Sequence, residues 1–165
     1  MPETNNPYAP PEAAVADVAA VSAQIAPPLW NPNAAASWSL LLTPVFGAVL
    51  QMKNWRALGE LEKAETSKRW AIGSLIFMVV MSLLSAFVFE QSEGFSRASG
   101  LGLLVGWYYA NGKAQNAYVL ARYGKTYPRK GWALPLLSGV GALAGFLVVM
   151  VIIGAVYAML GGTLK

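Results

Sequence analysis

The sequence contains no cysteine and no histidine among its 165 residues. Without cysteine, the chain has no disulfide, no thiolate nucleophile and no cysteine-ligated metal, although this leaves the redox compartment undetermined. Without histidine, it lacks the commonest metal ligand and the commonest general base, which also excludes a Ser-His-Asp triad. We therefore predict that the protein holds no metal or other cofactor and is not an enzyme.

Charge is also scarce. Charged residues make up 12% of the sequence and hydrophobic residues 56%, whereas soluble domains carry about 25% charged residues. Ten of the twelve basic residues lie in two short segments between apolar runs. Because such segments are typical topology signals of membrane proteins, and because they form no continuous basic stripe, we predict no nucleic-acid partner.

Long stretches have no charge at all, and the longest is 132–162. As a helix it exceeds the ~30 Å hydrocarbon core of a bilayer, and it shows no polar stripe of the kind found on soluble helices. The sequence thus predicts an all-α, polytopic transmembrane helix bundle in a single domain, 34–165. Its four apolar segments are 34–52, 70–89, 98–123 and 132–161.

The first apolar segment, 34–52, has proline at its middle, Pro44. A proline at that place breaks a backbone hydrogen bond and kinks a spanning helix, which neighbouring helices can accommodate. The alternative is a re-entrant hairpin that turns at Thr43-Pro44 and leaves both of its ends on one face.

The N-terminal residues 1–33 are rich in proline and alanine and contain no lysine or arginine. Proline removes backbone donors and disfavours helix, so we predict a disordered tail. A short alanine-rich helix over 12–25 is the alternative.

Loop charges predict the topology. By the positive-inside rule, the basic loops 53–69 and 113–131 are cytoplasmic and the acidic loop 90–97 is outside. With four spans the tail is also outside. With a re-entrant first segment the tail stays inside and three spans remain.

Small residues recur along two of the predicted helices and predict close helix–helix contact. They can meet within one chain or across a dimer. The predicted packing positions are Ala98, Gly102, Gly106, Ala110, Ala114, Gly141, Gly145, Gly154 and Ala158.

A polar patch at the predicted inner face contains Asn111, Gln115, Asn116 and Tyr118. Asn116, together with Lys113 and Arg122, is a candidate site for a lipid headgroup. The alternative is that these residues only solvate the end of a helix.

The stretches NPYAPPEAAVADV and WNPNAAASWSLLLTPVFGAVLQMKNWRALGE resemble the N-terminal parts of uncharacterised small bacterial inner-membrane proteins that carry an NPY-x-x-P tail. The resemblance covers about the first third of the chain. It implies a multi-pass protein of the bacterial inner membrane, and it implies no activity and no catalytic residue.

No charged residue lies inside the runs 34–52, 70–89, 98–112 and 132–161, which argues against an ion-coupled transporter. We predict instead a membrane interaction protein of the scaffold or immunity-factor type. It would be embedded in the lipid bilayer and bind a membrane-protein partner or a second copy of itself. The alternative is a small oligomeric pore or channel. The weakest alternative is a lipid-modifying enzyme using Glu90, Glu93 and Asn116.

Overall fold

The computed structural model describes residues 26–87 and 93–161. Within these residues the chain is helical and has no strand; only one isolated bridge joins Leu29 and Arg129. The elements are α1 (Pro32–Leu42), α2 (Pro44–Ala57), α3 (Leu61–Phe87), α4 (Glu93–Trp107), a π-helical turn (Tyr108–Gly112), α5 (Lys113–Tyr123) and α6 (Ala133–Met159).

The first apolar run folds as a helical hairpin. Asn31 caps α1 by accepting from the backbone N–H of Asn33 at 3.0 Å. Thr43 interrupts the helix with φ 81°, and Pro44 begins α2, where its missing N–H is harmless. The backbone N–H of Trp30 donates to Asn54 Oδ1 at 3.0 Å, so the two helices run antiparallel.

The prediction of a single spanning helix over 34–52 is therefore wrong, and the alternative turn at Thr43-Pro44 is the observed one. Thr43 leaves the helical region of φ and ψ, and proline follows it. The resulting helices of 11 and 14 residues are about 16 and 21 Å long, so each is shorter than a bilayer core.

Two described helices are long and apolar enough to cross a membrane, over Leu61–Ser85 and Ala133–Met159. Four were predicted. Besides the broken first segment, the predicted segment 98–123 falls short because its α-helix, α4, ends at Trp107 after 15 residues, which is about 22 Å. The helical path nevertheless runs from Glu93 through the π-helical turn to Tyr123.

The path from α4 to α5 lies antiparallel to α3, because Trp107 shares a buried cluster with Ala71 and Asn111 bonds Ser67. Helix α6 runs parallel to α3, since the ring of Phe87 meets that of Tyr157 with centroids 4.6 Å apart at their distal ends.

The hairpin fills only one half of the space between α3 and α6. We call residues 26–74 and 107–139 the closed half, and residues 75–87, 93–106 and 140–161 the open half. Among the residues whose burial is described, every buried one lies in the closed half.

The chain before α1 belongs to the closed half. Leu29 is fully buried; its N–H donates to the carbonyl of Pro128 at 3.0 Å and its carbonyl accepts from Lys130 at 2.9 Å. Residues 26–33 thus pack on the helical domain, whereas the sequence assigned them to the tail. The rest of the predicted tail, 1–25, lies outside the described residues, as do 88–92 around the predicted outer loop.

Candidate functional site: a buried amide network and its basic rim

Four neutral amide side chains meet at the centre of the closed half. Gln51 and Asn54 lie on α2, Asn111 lies in the π-helical turn and Gln115 lies on α5. Gln51, Asn54 and Gln115 are fully buried, and Asn111 is 6% exposed. Burying amides without partners would be costly, so their hydrogen bonds decide what the cluster does. We call these four residues the amide network.

Gln51 joins α2 to the π-helical turn. Its Nε2 donates to the carbonyl of Gly112 at 3.1 Å, and its Oε1 accepts from Asn111 Nδ2 at 2.7 Å. The same Asn111 amide donates to Ser67 Oγ on α3 at 3.1 Å. Three helical elements are thereby fixed in one register.

Asn54 extends the network to the segment before α1. Its Nδ2 donates to the Trp30 carbonyl at 2.8 Å and to Gln115 Oε1 at 3.1 Å, and its Oδ1 accepts from the Trp30 N–H at 3.0 Å. Gln115 Nε2 in turn donates to the carbonyl of Gln51 at 2.9 Å. Asn54 therefore satisfies both backbone groups of Trp30, next to Leu29, whose backbone groups bond the backbone of residues 128 and 130.

The π-helical turn keeps the inward residues of this helix aligned. Trp107, Asn111, Gln115 and Val119 are all buried and follow one another at intervals of four. In a regular α-helix of 3.6 residues per turn, such a series drifts by about 40° at each step. The wider turn at Tyr108–Gly112 offsets part of that drift, so the buried side chains stay on one face.

The network supplies no group that titrates near neutral pH, so it holds elements together and does not transfer protons. Two buried polar atoms in the described part of the chain have no hydrogen-bond partner, Ser74 Oγ and Trp107 Nε1. Both belong to the closed half, beside the network.

Basic and aromatic residues cover the end of the closed half. Glu60 accepts from the Tyr118 hydroxyl at 2.6 Å and pairs with Lys63 at 3.1 Å. These bonds, that from Tyr118 first, hold the pKa of Glu60 below its usual value. Lys63 also lies over the ring of Trp55, 5.0 Å from its centroid. We call this group of four residues the rim cluster.

Two further lysines lie near the ring of Trp30. Lys130 Nζ lies 4.4 Å from the Trp30 ring centroid, and Lys53 Nζ lies 5.8 Å from it. The indole N–H donates to the carbonyl of Gly131 at 3.0 Å, which fixes the ring against the start of α6. Neither lysine forms an ion pair with a carboxylate of the described residues.

The predicted headgroup residues all lie on α5. Lys113 is exposed and faces the Tyr109 ring at 6.0 Å. Arg122 is exposed and donates to the Tyr118 hydroxyl at 3.1 Å, and Asn116 is half-buried. Their neighbours Asn111 and Gln115 are bonded within the amide network and cannot contribute to a headgroup site.

The predicted packing glycines and alanines face outward from the described chain. A side-chain carbon added at Gly102, Gly106, Gly141 or Gly145 would meet nothing within 4 Å. On the helical path from α4 to α5, the buried residues Trp107, Asn111 and Gln115 each lie one position after a predicted packing residue. The other predicted positions are exposed except for Gly154, which is half-buried: Ala98, Ala110, Ala114 and Ala158. Packing through them therefore stays a prediction, and one that concerns a second chain.

A cavity of about 300 Å³ opens beyond the tip of the hairpin, between α3 and α6. Its walls are almost entirely apolar. They include Val45, Phe46, Val49, Leu75, Met78 and Phe146.

The amide network is the feature that sequence reasoning missed. The available signal was four amides placed near the charged ends of apolar runs, at positions 51, 54, 111 and 115. The described residues contain no group of His, Cys, Asp and Glu that could hold a metal ion. The chain matches no model of a known protein family, no curated protein and no solved structure.

Proposed function

We propose that the chain is a multi-pass membrane protein that binds another membrane helix through its open half, as a scaffold or subunit. The observation that carries this proposal is the surface of α6. Val148, Val151 and Ile152 are among the many large apolar side chains that it exposes in the open half, and Pro135 is its one buried residue among those described. Exposing such an apolar helix to water is unfavourable, whereas contact with lipid or with a partner helix is not.

The direction of the helices supports three crossings and one re-entrant hairpin. Helices α3 and α6 run parallel, so a chain that crosses along both has to return between them. The path from Glu93 to Tyr123 is the described helical route available for that return. The basic loops 53–69 and 113–131 would then face the cytoplasm of a bacterial cell.

The uncovered glycines indicate where a partner would bind. Gly141 and Gly145 form a small-x-x-x-small face with open space above it, and such faces allow two backbones to approach closely. Large apolar residues flank the glycines, so a second helix would gain dispersion contacts over the whole patch.

The test is association in mild detergent. A tagged and an untagged copy of the chain would be expressed together in host cells, cross-linked in the membrane and purified through the tag. We expect Gly141→Leu with Gly145→Leu to lose the associated chain, whereas Val140→Ala with Leu147→Ala, which removes exposed apolar side chains from another face of α6, retains it. Recovery of the chain as a monomer without any stoichiometric partner would overturn the proposal.

The oligomeric pore has no specific observation in its favour. The buried amides of the described chain bond to one another and to the backbone, and the cavity beside them is apolar. Neither feature resembles a polar ring that lines a channel.

A further inference from the structure

We propose that the groove between the hairpin, α3 and α6 binds one anionic phospholipid, with its phosphate at Lys53 and Lys130 and one acyl chain in the apolar cavity. This inference rests on the membrane location proposed above. It involves residues different from those of the glycine face and from the headgroup site predicted from the sequence.

The charged end of the groove is defined by Trp30. Both ammonium groups lie within 6 Å of the centroid of its ring, at 4.4 Å for Lys130 and 5.8 Å for Lys53. No described carboxylate pairs with either ammonium group. A phosphate beside Trp30 would supply the missing counter-charge, since lysine binds phosphate as a point charge.

The apolar end of the groove follows the same face of α2. Val45, Val49 and Lys53 succeed one another at intervals of four, so they share a helix face. Val45 and Val49 line the cavity, and the eight residue steps from Val45 to Lys53 cover about 12 Å. A phosphate at Lys53 therefore leaves an acyl chain aligned with the cavity opening.

The cavity suits a hydrocarbon chain and not a polar ligand. Its volume of about 300 Å³ is at the lower end of the range of ligand pockets. Leu75, Met78 and Phe146 close its sides, and it lies beyond the hairpin tip, where water is excluded in the proposed topology. The charge at one end and the hydrocarbon walls at the other select a lipid with an anionic headgroup.

The test counts lipids retained by the purified full-length protein in native mass spectrometry. Phosphatidylglycerol and phosphatidylcholine with the same oleoyl chains would be compared, with inorganic phosphate as competitor. We expect Lys53→Gln with Lys130→Gln to weaken phosphatidylglycerol binding by about thirtyfold and to abolish the preference over phosphatidylcholine. The control, Lys68→Gln with Lys125→Gln, removes the same charge outside the groove and retains the preference.

A second pair of variants tests the cavity. Ala142 lines it, so Ala142→Phe would fill it and reduce retention of both lipids, whereas Ala144→Phe, on the same helix but not among the lining residues, would not. Equal phosphatidylglycerol binding by the two double-lysine variants would overturn the proposal. Displacement of the lipid by millimolar phosphate would also overturn it, because it would indicate a site for free anions. If alkaline carbonate extracts the protein from membranes, the membrane location itself fails, and that outcome is distinct from loss of lipid preference in an embedded protein.

Discussion

The closed and open halves of this molecule differ in what surrounds their side chains. In the closed half, Gln51, Asn54 and Gln115 are fully buried and hydrogen-bonded between helices. In the open half, α6 exposes valine, leucine and isoleucine around its circumference. The same chain thus contains a polar core enclosed by protein and an apolar surface enclosed by none of its described residues.

This contrast indicates how the two halves are stabilised. Directional bonds hold the closed half in one register, and the loss of one amide leaves its partners buried and unpaired. The open half has few contacts to lose, so its order depends on lipid or on a partner. The two halves should therefore respond very differently to matched substitutions.

The largest difference is expected at asparagine. Asn54→Leu leaves the Trp30 N–H and carbonyl and Gln115 Oε1 without their bonds. We expect it to lower the free energy of unfolding in detergent by about 2–5 kcal/mol. Asn116→Leu, at a half-buried position beside the network, should change it by no more than about 0.5 kcal/mol. Similar thermal shifts for the two variants would contradict the role of the network.

Glycine provides the next comparison. A side-chain carbon at Gly47 would overlap Ser39 Oγ and the Trp107 ring, whereas one at Gly141 would meet nothing within 4 Å. We expect Gly47→Ala to destabilise the fold by about 1–3 kcal/mol and Gly141→Ala to leave it unchanged or slightly more stable. Thermal unfolding of the two variants in one detergent measures this difference, and the reverse order would refute the assigned packing.

The hairpin turn permits a change in the opposite direction. Thr43 is the described non-glycine residue with positive φ, 81°, a conformation that strains a β-branched side chain. We expect Thr43→Gly to raise the free energy of unfolding by about 1 kcal/mol, and Thr66→Gly within α3 to lower it by a similar amount. Destabilisation by Thr43→Gly would mean that the turn is not strained.

The smallest expected effect is at Glu60 in the rim cluster. Because its pKa is lowered, Glu60 contributes stability that is complete above the carboxyl's unfolded pKa and is lost as pH falls through the folded pKa. Tyr118→Phe removes the largest cause of that shift, so we expect the pKa of Glu60 to rise towards its usual value. Carboxyl ¹³C titration by NMR measures it, and Tyr109→Phe, which lacks this bond, is the control. An unchanged titration would exclude the assigned hydrogen bond.

Hydrophobic runs made the helical class, α6 and the part of α3 from residue 70 onward predictable, because uncharged runs of that length have few other folds. The hairpin was visible only as an alternative, since proline at position 44 is compatible with a kink or with a turn. The φ of Thr43 decides between them, and φ is not encoded by hydropathy.

The amide network was not predictable for a different reason. Asparagine and glutamine near a helix end look like residues that water or lipid headgroups solvate. Their burial depends on contacts between residues some sixty positions apart, such as Asn54 with Gln115. The π-helical turn that aligns Asn111 with Gln115 also leaves no recognisable hydrophobic pattern in the sequence. For that reason Gly106, Ala110 and Ala114, each one position earlier than a buried residue, were predicted as the packing face.

The most direct test of the account is the side of the membrane on which α1 begins. The native chain has no cysteine, so Asn33→Cys, Thr66→Cys and Ser92→Cys can each be probed in intact cells with an impermeant thiol reagent. We predict that Ser92→Cys is labelled at once, whereas Asn33→Cys and Thr66→Cys are labelled only after permeabilisation, because the hairpin returns α2 to the side from which α1 enters. Labelling of Asn33→Cys together with Ser92→Cys in intact cells would mean that the first segment crosses the membrane, and would contradict the hairpin.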